Sequence, residues 1–242
     1  MNAKAILDQL MRQAGSGSGR GSGGTVERLL RGLSSQRGGA SAGRGGTDMK
    51  SLLGHGALAL LVGSKRGRRL GGGALKYGAI AGIGALAWKA WQNAQGEQAG
   101  ATGTARDEGE PVERLQGSAG DRRSLEILQA MIMAARADGH IDAAESAQLT
   151  EQLKALGADE ELRGWMEQQL EAPLDAQSLA READSPQAAR EMYLASLAIV
   201  DQQNPMERAW LEQLADALGI DRALASELEH QAAEVSRGET SS

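Results

Sequence analysis

The chain has no cysteine and no phenylalanine. Without cysteine it can build neither a disulfide framework nor a thiolate-bound metal centre. Its three histidines, His55, His140 and His230, are scattered; HExxH and P-loop patterns are missing, and so is a GxSxG nucleophile elbow, the match at residues 39–43 lying inside a Gly/Ser/Arg-rich run. These absences exclude the common hydrolase, metalloprotease and nucleotide-binding signatures, and no catalytic residue is assigned. The amino terminus, MNAKAILDQLMRQ, mixes Asp8 and glutamines into its apolar pattern, so a cleaved signal peptide is not expected. Acid is absent from one long stretch: residues 49–92 contain no Asp or Glu.

What is present is unevenly spread. Of 33 glycines, 22 lie at or before Gly84 and only five follow Gly120. The overall charge of −6 hides 14 basic and three acidic residues in 1–96, against 12 basic and 29 acidic in 97–242. A basic arm suits an anionic surface such as lipid or nucleic acid, and an acidic domain avoids one.

Residues 1–14 place Ile6, Leu7, Leu10 and Met11 on one side of a short amphipathic helix, able to dock on a partner or on lipid. Residues 15–48 are Gly/Ser/Arg-rich and read as a disordered basic linker. An RNA-binding arm is the weaker alternative there, because no aromatic side chains are interleaved to stack on bases.

Residues 49–92 form a Gly-rich segment that reads as membrane-associated and helical. Two apolar stretches, Leu52–Gly63 and Leu70–Trp91, flank the cluster Lys65, Arg66, Arg68 and Arg69. The first, about 18 Å long as helix, is too short for a ~30 Å hydrocarbon core, whereas the second just suffices. Tyr77, Trp88 and Trp91 bracket its apolar part as interfacial aromatics do. Ala74, Gly78 and Gly82 recur every four residues, a face on which membrane helices self-associate. Two topologies are open: a single span with the basic cluster inside, or a hairpin that leaves both ends on one side. Residues 93–121 turn polar and read as a second linker.

From 122 to 236 the apolar period is helical: Leu125, Leu128 and Ile132; Leu149, Leu153 and Leu156; Leu162, Trp165 and Met166; Met192, Leu194 and Leu197; Trp210, Leu211 and Leu214; Leu224 and Leu228. This predicts an all-α compact bundle of about seven helices that folds by itself, with Trp165 and Trp210 in its core, followed by a disordered tail at 237–242. A shift of 62 residues places Asp142, Glu145, Leu149, Leu156, Gly157 and Asp159 on Asn204, Glu207, Leu211, Leu218, Gly219 and Asp221. The bundle therefore has two related halves, in which Asp142 and Asn204 read as N-caps and Glu145 and Glu207 as their capping-box partners.

The stretch ADGHIDAAE raises a second use for those acids. Asp138, Asp142 and Glu145 could supply oxygens to a divalent cation, with help from Asp201 and Glu207 of the mate loop. The competing reading is a helix corner with solvated charge. The spacing is not that of an EF-hand, and a zinc site on His140 lacks a second nearby histidine.

AARADGHIDAAESAQLTEQLKALG resembles the signature of TerB-like (tellurite-resistance) helical domains, and DQQNPMERAWLEQLADALGI is similar to their second half. The acid-free stretch ahead of it resembles the YebE-type bacterial inner-membrane branch of unknown function. The resemblance implies a compact helical fold, an inner-membrane address with a cytoplasmic helical domain, no enzymatic activity and a part in a stress response. It also implies a divalent cation as the one possible cofactor, at Asp138, Asp142 and Glu145. The second half departs from the motif at Gln202, Gln203 and Asn204, which argues against a symmetric two-loop site. Protein partners are expected but not identified; nucleic acid is the further alternative.

Overall fold

The computed structural model describes residues 1–16, 82–95, 108–137, 139, 150–151, 154–200 and 204–236. The fold is all-α, and eight helices lie among the described residues: α1 Ala3–Ser16, α2 Ile83–Gln95, α3 Gly117–Ala135, α4 Glu160–Glu171, α5 Ala176–Ala180, α6 Pro186–Ile199, α7 Pro205–Ala217 and α8 Arg222–Ser236. The fold is organised around α6. Every residue from Gln187 to Ile199 is buried, as expected of a helix surrounded by others rather than laid on a surface. Helix α3 packs along it, with α2, α7 and α8 against its other sides. Ser196 ties α6 to α3 by donating its hydroxyl to the Ala130 carbonyl at 3.3 Å.

The helices begin where local chemistry says they should. Asp159 accepts the Leu162 N–H at 2.8 Å to open α4, and Ser185 accepts the Ala188 N–H at 3.2 Å to open α6, with Pro186 in the first turn. Asn204 opens α7 by accepting the Met206 N–H at 3.0 Å, and gives its side-chain amide to Glu207 at 3.1 Å. Each such cap is worth about 1 kcal/mol.

The 62-residue repeat is visible in the turns. Gly157 and Gly219 both have positive φ, 85° and 68°, which a glycine adopts without steric cost. Two residues later Asp159 and Asp221 each accept the N–H three positions on, both at 2.8 Å. Ala158 and Ile220, between glycine and aspartate, are both buried.

Two helices enlarge the core beyond 122–236. Helix α1 buries Ala3, Ile6, Leu7 and Leu10 against α3, so its apolar face is spent inside the protein. Helix α2 buries Ile83, Ala87 and Ala90 against α6 and α8. The continuous helix expected over Leu70–Trp91 is interrupted: Gly82 has φ 78°, and the Leu86 N–H bonds its carbonyl at 2.9 Å as the first turn of α2. No helix among the described residues is long and apolar enough to cross a membrane. The polar linker expected over 93–121 also contributes, since Val112 is fully buried and α3 starts at Gly117. Trp210 lies in the core, while Trp165 is half-buried and packs against it.

Candidate functional site

The central helix carries three polar side chains, Gln187, Arg190 and Glu191, in its first turns. At spacings of three and four they share one face, and a buried charge persists only where partners are supplied. Glu191 receives Arg123 Nη1 from α3 at 2.8 Å on one oxygen, and the Val112 N–H at 2.9 Å and Gln187 Nε2 at 2.8 Å on the other. The other terminal nitrogen of Arg123, Nη2, donates to Asp184 and, at 3.0 Å, to Ser185 Oγ. Arg123 is thus held by the loop that caps α6. Desolvation works to lower its pKa, but Glu191 and Asp184 outweigh it and raise it. Burial pushes the Glu191 carboxyl above its ordinary value, with Arg123 opposing.

The same node grips the start of α2. Gln187 Nε2 also donates to the Gly84 carbonyl at 2.9 Å, and the Gly84 N–H donates to Glu113 Oε1 at 2.9 Å. A Cβ on Gly84 would collide with Glu113 and would stand 2.8 Å from Glu191 Oε1 and 2.9 Å from Pro111 Cβ. No larger residue fits there without moving the node.

Glu126, one turn beyond Arg123 on α3, is 3% exposed. It lies 3.3 Å from Arg123 Nε, but neither of its oxygens is aligned for a hydrogen bond. Burial, with the nearby Asp184 charge adding to it, lifts its pKa to about 7. Glu126, Asp184 and Glu191 are three carboxylates around one guanidinium.

Arg190 sits on the outer side. Its Nη1 donates to Glu108 at 2.9 Å and its Nη2 to Gln187 at 3.1 Å, and its guanidinium lies 5.3 Å from the centre of the Trp91 ring. A shallow cleft of about 230 Å³ opens beside it, lined among others by Trp91, Glu108, Asp221 and Leu224. Both terminal nitrogens of the cation are already engaged inside the protein.

The residues expected to act at a membrane or on a metal fare differently. Trp88 and Trp91 lie in α2, their rings 5.0 Å apart, and Trp91 is taken up by Arg190 rather than standing free. Gly82 is the turn before α2. Tyr77, Gly78, Asp138, Asp142 and Glu145 lie outside the described residues. Among the described residues no group of three His, Cys, Asp or Glu side chains could hold a metal.

The node itself was missed in the sequence. Its available signal was the pair Arg190-Glu191 inside an otherwise apolar run, together with Glu126 between Leu125 and Ile127.

Comparison with known proteins adds a family and a relative. The chain is 33% identical over 100 residues to an uncharacterized protein in the ampR 5' region of Yersinia enterocolitica, covering 41% of this chain and 72% of that protein. No solved structure matches the chain. The family described as "Protein of unknown function (DUF533)" matches residues 47–232, from the acid-free stretch to the last helix. With most of its length covered by that match, the chain belongs to the DUF533 family.

Proposed function

We propose that this is a non-enzymatic, inner-membrane-associated protein of the TerB-like, YebE-type branch, whose helical bundle serves as an interaction or cation-sensing module in a stress response. The observation that carries this reading is the grip on Gly84. Both backbone polar groups of that residue are bonded, and its missing side chain makes room for Glu191 and Glu113. The acid-free, basic stretch therefore runs directly into the rigid centre of an acidic bundle. Such a joint suits a body held at an anionic surface by a short tether. The polar node supports the non-enzymatic part, because Arg123 and Glu191 are 2% and 0% exposed and are consumed by each other and by the backbone. Recovery of the full-length protein with bacterial inner membranes at low ionic strength tests the address; recovery in the soluble fraction alone would refute it.

A second reading is a divalent-cation site at Asp138, Asp142 and Glu145. In the mate half, Asn204 gives an amide hydrogen to Glu207 at 3.1 Å. Asp142 takes the place of Asn204 in the repeat, and an ionised aspartate has no hydrogen to give Glu145. Two carboxylates in those places favour a shared cation. Calorimetric titration with Ca²⁺, Mg²⁺, Mn²⁺ and Zn²⁺ tests this: binding heat that Asp138→Asn abolishes supports it, and no heat with the unmodified protein refutes it.

A further inference from the structure

Helices α1 and α2 are separated by residues 17–82, yet both are built into one body. On α1, Lys4 donates its backbone N–H to Asp121 at 3.1 Å, and Asn2 bridges the α4 entrance, donating to the Gly157 carbonyl at 2.8 Å and accepting the Asp159 N–H at 3.1 Å. On α2, Asn93 donates to Glu227 of α8 at 2.8 Å, and Ile83, Ala87 and Ala90 are fully buried. The first apolar stretch, the cluster Lys65, Arg66, Arg68 and Arg69, and the Leu70–Gly82 part of the second stretch fall between these two docked helices.

A single crossing would put α1 and the bundle on opposite faces of a bilayer, with Ile6, Leu7 and Leu10 stripped from their packing. A double crossing meets a different obstacle. Because Ile83 onward belongs to α2, the second stretch is left with Leu70–Gly82, about 20 Å even as continuous helix, and Leu52–Gly63 offers about 18 Å, against a ~30 Å hydrocarbon core. It would also carry the four basic residues to the far side, against the usual placement of positive charge.

We infer that the chain meets the bilayer from one side only: α1 and α2 to α8 stand on the same face. This rests on the membrane reading above.

The chain has no cysteine, so single cysteines introduced into it report position without background. Arg12→Cys and Gln92→Cys, both at exposed positions of the docked helices, and Ser64→Cys, beside the basic cluster, are made in the full chain. Each is exposed to a membrane-impermeant maleimide in right-side-out and in inverted membrane vesicles. The expected result is labelling of all three in the same preparation and of none in the other. Opposite labelling of Arg12→Cys and Gln92→Cys would establish one crossing, and of Ser64→Cys alone would establish two; either overturns the inference while the membrane reading stands. Protein found wholly in the soluble fraction would overturn the membrane reading and this inference with it.

Discussion

The guanidinium of Arg123 lies 2.8 Å from the carboxylate of Glu191, 68 positions further along the chain, and both side chains are shut off from solvent. Breaking a buried pair by removing one member leaves a charge without compensation and costs about 3–5 kcal/mol. Glu191→Ala and Arg123→Ala should each destabilise the protein by that order in urea titrations. The double change Arg123→Met with Glu191→Leu should cost less than either single change, because apolar groups can replace both charges at once.

Gly84 is where the bundle has no room. Gly84→Ala should cost about 1–3 kcal/mol through overpacking against Glu113, Glu191 and Pro111. The control is Gly164 within α4, where an added Cβ meets nothing within 4 Å. Gly164→Ala should stabilise by about 0.5–1 kcal/mol. Thermal melts of the two variants, run together, check both signs.

Glu126 makes stability depend on pH. Its carboxyl is raised from an ordinary 4.5 to about 7 in the folded protein, by burial first and by Asp184 second, with Arg123 and Arg122 opposing and Glu182 adding slightly. The folded state therefore holds a proton that the unfolded chain releases between those two values. Its contribution is fully present below about pH 4.5 and is lost as pH rises through about 7, amounting to at most about 3 kcal/mol. Glu126→Gln, which stays neutral, should flatten this part of the stability profile between pH 5 and 8. An unchanged profile would show that Glu126 is not the group responsible.

The amino-terminal helix is far from the rest of the bundle in sequence but not in the core. Leu7→Ala should lower stability by about 2–5 kcal/mol, as core truncations do, because Leu7 is fully buried against the bundle. Arg12→Ala, on the exposed side of α1, should stay within about 0.5 kcal/mol of the unmodified protein. A fragment starting at residue 122 loses α1, α2 and Val112 together. Its melt should be broader and lower than that of the full chain.

Local features were legible in the sequence and distant pairings were not. The cap at Asn204 was read from the sequence, and the repeat paired Gly157 with Gly219 and Asp159 with Asp221, whose turns and caps depend on four or five consecutive residues. Helix α2 was read as part of a membrane span because it lies in the acid-free stretch and carries Trp88 and Trp91; its buried stripe of Ile83, Ala87 and Ala90 suits lipid and a helix neighbour equally well. Only its docking against α6 and α8 separates the two. The pairing of Arg123 with Glu191 needs the α3/α6 contact, which no local pattern encodes. The polar face of α6 was hidden for the opposite reason: Gln187, Arg190 and Glu191 look like an ordinary solvated first turn until α2 and α3 cover them.

The most direct test of the account concerns residues 49–81, the acid-free stretch up to the turn at Gly82. Full-length protein and a variant lacking 49–81, which retains α1, α2 and the grip on Gly84, are fractionated from bacteria in parallel at low ionic strength, with circular dichroism of the recovered protein. The account predicts full-length protein in the inner-membrane fraction, and the deletion variant soluble and still helical. Equal partitioning of the two proteins, both in the soluble fraction or both retained, would contradict it.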